Sequence, residues 1–241
     1  MIIYVFFFAH WYLSLFTQSF FYHRYSAHGM FLMSKTTEKV FFVLSWLFQG
    51  SSYLSPWAYG VMHRMHHAYA DTPLDPHSPL YDHNLWNMMW KTKNIYNSIF
   101  YKKADFTQNF YKNLPIWTAM DKFADSWANR LFWVFLYITF YVIFATHWYQ
   151  YLLLPIHFVM GPFHGAIINW FAHKYGYVNN KVNDTSKNLM APDILMWGES
   201  YHNNHHKFPS SPNFGRRWFE IDPMYPIILI LDKIGLIKLV R

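Results

Sequence analysis

The chain has 241 residues, 53% hydrophobic and 23% aromatic but only 14% charged, where a soluble domain carries about 25% charged residues. It has no cysteine, which excludes disulfides and thiolate metal sites. Its formal net charge of +7 flanks apolar segments, as juxtamembrane residues do, and argues against a nucleic-acid surface.

The mean hydropathy of −0.03 averages strongly apolar stretches with a remainder rich in His, Asn and Lys, and a single domain over 1–241 is expected at this length. Four stretches free of charged side chains are long enough to consider as membrane spans: Ile2–Tyr22, Val40–Met62, Leu131–Tyr149 and Tyr151–Ala172. No basic region or small-residue cleavage site marks a signal peptide, so the first is expected to be a retained span. The second loses its apolar character at Gln49, Gly50, Ser51, Ser52, Ser55 and Pro56, which suits a segment that lies at the interface or re-enters. The last two meet almost without a loop and predict a helical hairpin. Between Ala68 and Asn129 the chain is polar and aromatic, with loops marked by Pro73, Pro76, Pro79 and Pro115. The tail Tyr225–Val240, interrupted by Asp232, Lys233, Gly235 and Lys238, predicts an amphipathic helix on the bilayer.

Fifteen histidines cluster along this frame. His23 and His28 stand in HRYSAH, His63, His66 and His67 in HRMHH, and His202, His205 and His206 in HNNHH. In HxxHH the i, i+3 and i+4 positions share one helix face, so several imidazoles can converge on one point. Imidazole accepts Fe, Zn, Cu or Ni, and the ligand type alone does not name the metal.

The three boxes in this order resemble the membrane fatty acid desaturases, the acyl-CoA delta-9 branch above all. HRMHHAYADTPLDPHSP at 63–79, NWFAHKYG at 169–176 and GESYHNNHH at 198–206 are similar as well, and so is the tail with Trp218, Glu220 and Asp222. The resemblance implies an all-α integral membrane protein with about three spans, interfacial helices and a cytoplasmic cap carrying the boxes. It implies nine histidine ligands to two irons, namely His23, His28, His63, His66, His67, His173, His202, His205 and His206, with Asn169 acting through a bound water. O2 is the implied co-substrate and a saturated acyl-CoA or acyl-lipid the implied substrate, desaturated to a cis double bond. No HPGG haem signature occurs, so electrons are expected from a separate ferredoxin or cytochrome b5-like protein. Many relatives carry a further span ahead of the one that ends in the first box; this sequence starts at the latter.

Asp71, Asp75 and Glu199 lie beside the boxes and either accept the second ring N–H of liganding histidines or are loop carboxylates satisfied by water and helix caps. His157 and His164, seven apart in the last apolar stretch, are candidates for function or for interhelical hydrogen bonding. His10, His77, His83 and His147 match no ligand position. Trp11, Trp46, Trp57, Trp86 and Trp170 are either tunnel lining or core and belt anchors. Lys91, Lys93, Lys102 and Lys103 form either a headgroup-binding surface or a plain positive patch.

A single metal centre constrains topology. His28 and His63 must meet, so Val40–Met62 does not cross, and two crossings between His67 and His173 return the chain to the same side. Three spans follow, with the N-terminus outside. The loop Thr146–Gln150 has no Lys or Arg, while Arg24, Lys35, Lys39, Arg64, Lys91 and Arg130 fall on the box side, as the positive-inside rule requires. Competing readings are a hydroxylase, which usually carries HxxxH as its first box, a membrane metal transporter with mid-membrane ligands, and a structural zinc site, which needs only about four ligands.

Overall fold

The computed structural model describes residues 1–103 and 107–240. Helix α1 (Ile2–Thr17) continues without a break into a π-helical stretch, Gln18–Ala27. Helix α2 (Lys35–Gln49) starts at Ser34, whose hydroxyl accepts the Thr37 N–H, and packs back on α1. It ends at Gly50, which takes φ of +54° with the Tyr137 hydroxyl filling the place a Cβ would need; a side chain is excluded there on both counts. Helix α3 (Pro56–Tyr69) restarts after a short 3-10 turn, with Ser55 as N-cap and Pro56 in the first turn, where its missing N–H is harmless. Val40–Met62 is therefore two helices around a break.

Helix α4 (Leu85–Phe100) is capped by Asn84, and α5 (Thr118–Asp125) leads into α6 (Trp127–Phe144). Among the described residues α6 is the one helix long and apolar enough to cross a membrane, and up to two segments qualify if the bent pair that follows counts as one. Along α6 the apolar Phe135, Val142 and Ile143 are each 65% exposed.

The sequence predicts a continuous helix over Tyr151–Ala172. The structure instead gives α7 (Leu154–Phe158), α8 (Met160–Ala166) and a π-helical Ile167–Phe171, with an 81° bend between the halves. The cause is local. Pro162 has no N–H for the Phe158 carbonyl, which accepts from the Ser51 hydroxyl at 3.0 Å instead. The Gly161 N–H turns to the Ser52 hydroxyl at 3.0 Å, and the Gly161 carbonyl accepts from Gln18 at 2.9 Å. The polar break at Gly50–Ser55 thus supplies partners for the backbone groups that the bend frees.

Helix α9 (His202–Lys207) carries the last box, and α10 (Met224–Lys233) is followed by strand β2 (Ile237–Leu239), which pairs antiparallel with β1 (Phe31–Met33) in the register Phe31 to Leu239. The tail is therefore helical only to Lys233: Gly235, at φ +74°, turns it into a small two-stranded sheet. The fold is otherwise helical. Its largest core cluster, including Phe20, Phe21, Phe31, Phe41, Phe42 and Phe214, joins α1, α2 and the tail. Each such aromatic contributes about 1.5–3 kcal/mol on burial.

Candidate metal centre

The nine histidines of the boxes and of NWFAHKYG meet in two groups. His23, His28, His63, His67 and His205 form one, and His66, His173, His202 and His206 the other, each within reach of a single ion. The sequence suggests that each HxxHH converges on one point; the structure divides it between two. On an α-helix i and i+4 differ by about 40°, while i+3 and i+4 differ by about 100°. His63 and His67 of α3 accordingly serve the first group and His66 the second, whereas His202 and His206 of α9 serve the second and His205 the first. The two helices make the same division in opposite senses.

HxxxxH needs a different device, since positions five apart on an α-helix lie about 140° apart. The π-helical stretch solves this: the His28 N–H bonds to the His23 carbonyl at 3.2 Å, and the two rings sit 5.0 Å apart. A second π-helical turn, Ile167–Phe171, precedes His173 and holds Asn169, which lines the adjoining cavity.

All nine rings approach one another through Nε2. His23 and His205 are 2.9 Å apart, His28 and His63 2.9 Å, His63 and His67 3.1 Å, and His67 and His205 2.9 Å. In the second group His173 and His202 are 3.0 Å apart and His66 and His206 3.2 Å. Four of these rings are fixed from behind. His23 donates from Nδ1 to Glu199 at 2.5 Å, His66 to Asp75 at 2.9 Å, His173 to Asp71 at 3.2 Å and His206 to Asp184 at 2.9 Å. With the proton at Nδ1, each Nε2 presents a lone pair, and lone pairs that face each other at 3 Å repel unless a cation lies between them. A metal about 2.1 Å from imidazole nitrogen separates adjacent ligands of an octahedron by about 3.0 Å, close to the spacing seen. The residues fit two metals.

Electrostatics agree with neutral imidazoles. Burial is the main cause that holds His28, His63, His67, His202, His205 and His206 well below the ordinary value, with neighbouring histidines adding to it. Burial also pushes the Asp75 carboxyl up, but the hydrogen bond and charge of His66 outweigh it and leave Asp75 at about 2. Glu199 ends below its ordinary value in the same way, through His23 and Arg24.

Asp75 and Glu199 stand behind the box histidines His66 and His23, and Asp71 behind His173. Sequence reasoning missed Asp184, which lies in a loop of no recognisable pattern, and Arg24, inside the first box itself. Arg24 is fully buried and its guanidinium bonds Glu199 at 2.9 Å and Asp222 at 2.8 Å, with the Phe214 ring 3.8 Å below it. It ties the tail to the carboxylate that fixes His23. The residue type was the signal: a charged side chain next to an apolar span.

A cavity of about 670 Å³ reaches both groups, touching His23 and His63 of the first and His202 of the second. Its other walls are mostly apolar, from α1 (Leu15), α3 (Tyr59, Met62), α4 (Met89, Trp90) and α8 with its π-helical continuation (Phe163, Ile168). Of the five tryptophans considered for a tunnel only Trp86 lines it. Trp46 bonds Asn129, Trp57 stacks on Tyr111, Lys174 covers Trp170 and Trp11 stands against Phe163 and His164. Nor do the four lysines face one point: Lys91 lies 3.9 Å from Asp82, Lys93 covers Trp90, Lys102 faces Trp57 and Lys103 faces Tyr101.

The chain is similar in sequence to known proteins. The chain is 29% identical over 233 residues to an sn-1 stearoyl-lipid 9-desaturase of Synechocystis sp., covering 90% of this chain and 64% of that protein. It is 31% identical over 229 residues to the Delta-9 desaturase-like 5 protein of Arabidopsis thaliana, with 90% and 70% covered. It is also 27% identical over 249 residues to a hex-5-enoyl-[acyl-carrier protein] acetylenase of Moorena producens, with 94% and 73% covered. The chain thus spans less than two thirds of the length of the cyanobacterial relative. A sequence model of the fatty acid desaturase family matches residues 1–230, and the chain belongs to that family.

Proposed function

We propose that the protein is an O2-dependent fatty acyl desaturase that introduces a cis double bond, at the delta-9 position, into a saturated acyl-CoA or acyl-lipid chain. The observation that carries this reading is the opening of two groups of Nε2 atoms onto one apolar cavity. His23, His28, His63, His67 and His205 would hold one iron, and His66, His173, His202 and His206 the other, with Asn169 adding a water. When bound there, two irons supply the reduction of O2 that zinc, having no redox chemistry, cannot. Two hydrogens leave adjacent carbons, and with two electrons and two protons from outside both oxygen atoms end as water. The chain's own share is to hold the imidazoles neutral and oriented through Glu199, Asp75, Asp71 and Asp184, to exclude bulk water, and to fix which carbons face the site. The electrons come from a separate ferredoxin or cytochrome b5-like donor.

The exposed apolar face of α6, the apolar α1 and the bent α7–α8 pair support a multi-pass membrane protein, and the lack of Lys and Arg in Thr146–Gln150 supports a cytoplasmic side for the boxes. The decisive assay supplies a saturated substrate, O2, reductant and a competent donor, and reads products by mass spectrometry. A monounsaturated chain is expected; predominant alcohol would assign the protein to the hydroxylases. Metal analysis should give two ions per chain, and alanine at His66, His173 or His205 should lower that content. Full retention in all three would overturn the two-metal site.

A further inference from the structure

His157 and His164 lie in one apolar stretch but differ in their surroundings. His157 meets His10 through Nδ1 at 2.6 Å and the Tyr141 hydroxyl through Nε2 at 3.0 Å, so packing accounts for it. His164 is 1% exposed and lines the cavity that reaches the metal centre. Among the described residues neither its Nδ1 nor its Nε2 has a hydrogen-bond partner. It stands edge-on to Trp11, with ring centroids 4.4 Å apart, in a wall that also contains Val159, Phe163 and Ile167. A neutral imidazole carries one N–H and one lone pair, and leaving both unmet in an apolar wall is unfavourable.

His164 precedes Asn169 by five residues and His173 by nine in the same stretch of chain. The carrier end of a substrate belongs with the polar segments around the boxes. Val159 and His164 line the same cavity as His23, His63 and His202, so a chain extending from the metal centre toward the bend at Val159 would pass His164. A plain saturated chain would seal the imidazole from water without giving it a partner. A hydroxyl both donates and accepts, so it pairs with either nitrogen in either tautomer, whereas a ketone only accepts.

We propose that His164 is a specificity residue that makes the acyl cavity prefer a chain bearing a hydroxyl in its distal half over an unsubstituted chain of equal length. This rests on the desaturase reading only in taking the cavity as the acyl site. The test is displacement of a fluorescent conjugated polyene fatty acid from the purified full chain, which needs no turnover. The competitors are an unsubstituted fatty acid and a set of the same length hydroxylated at successive distal carbons.

At least one hydroxylated chain should displace the probe about ten-fold better than the plain one. His164→Leu should abolish that difference and His164→Asn should keep it. Equal displacement by every competitor in the unsubstituted protein overturns the proposal and leaves the desaturase reading intact. A preference that survives His164→Leu overturns it too, since recognition then lies elsewhere. Failure of all competitors to displace the probe overturns it together with the reading of the cavity as an acyl site. If His164→Leu does not fold, His164→Phe, a ring without a hydrogen-bonding atom, takes its place with the same expected loss and the same overturning result.

Discussion

Behind the first layer of histidines, four carboxylates carry much of the order in the site. Asp75 and Asp184 hold the Nδ1 atoms of His66 and His206, both in the second group, at 2.9 Å. Replacing either by Asn removes a charged acceptor while keeping the shape. Metal affinity of the second group is expected to fall about 10–100-fold, with the first group still filled, and titration of the stripped protein with iron would show it. Six histidines stood out because imidazole has few reasons to repeat at HxxHH spacing beside apolar segments, and His23 and His28 through the added HxxxxH, whereas His173 was implied by the family resemblance alone. Asp71, Asp75 and Glu199 were legible as neighbours of the boxes. Asp184 was not, because its place is set by the loop that returns from His173 toward α9, and no local periodicity encodes that path. Arg24 was hidden for another reason: only the folded tail brings Asp222 to it.

At the level of elements, long apolar runs marked α1, α6 and most of α10, left α4 and α5 unassigned in the polar stretch between Ala68 and Asn129, and failed where the backbone departs from the α form. The two π-helical stretches are invisible to a period of 3.6, yet one of them makes HxxxxH geometrically competent. The bend at Val159 was not anticipated: a bend in an apolar segment needs partners for the groups it frees, and those come from Gln18, Ser51 and Ser52 on other elements. Ser51→Ala removes the partner of the Phe158 carbonyl. The expected cost is about 1–3 kcal/mol for a buried acceptor left unmet, read as a lowered unfolding temperature in detergent. An unchanged temperature would mean that the bend does not rely on that hydroxyl. The tail was misread because the apolar run before Lys233 suits a helix, and the run after Gly235 is too short to announce a strand without its partner at Phe31–Met33.

The whole molecule raises two expectations. Asp121 is buried and accepts from the hydroxyls of Tyr53 at 2.8 Å and Ser55 at 3.0 Å, and burial is the main cause that raises its carboxyl to about 6. The folded state therefore binds this proton more tightly than the unfolded chain does. The resulting stability is present below about pH 4 and lost as pH rises to about 6, amounting to about 2–3 kcal/mol. Comparing unfolding temperatures of the wild-type chain and Asp121→Asn between these pH values isolates the effect; parallel curves would show that Asp121 is not the group. The second expectation concerns topology. Cysteines placed at Ser34 and Thr72 of this cysteine-free chain should be labelled from one side of a membrane, and labelling from opposite sides would break the argument that the boxes share a face. The sequence ties fold class to site because a clustering of ligands restricts how often the chain can cross between them.

His23 and His205, whose Nε2 atoms lie 2.9 Å apart, are separated by 182 residues in sequence. Metal held between them would close one of the longest loops this chain can form, and loop closure restricts the unfolded ensemble more as the loop grows. Secreted proteins achieve such closure with disulfides; here the ions would take that place, coupling metal binding to folding. Since α9 follows every other ligand-bearing segment, neither group can be completed until synthesis has passed His205. Chains made under iron starvation should therefore accumulate as full-length but protease-sensitive species, and a pulse of iron should convert them to resistant ones without new synthesis.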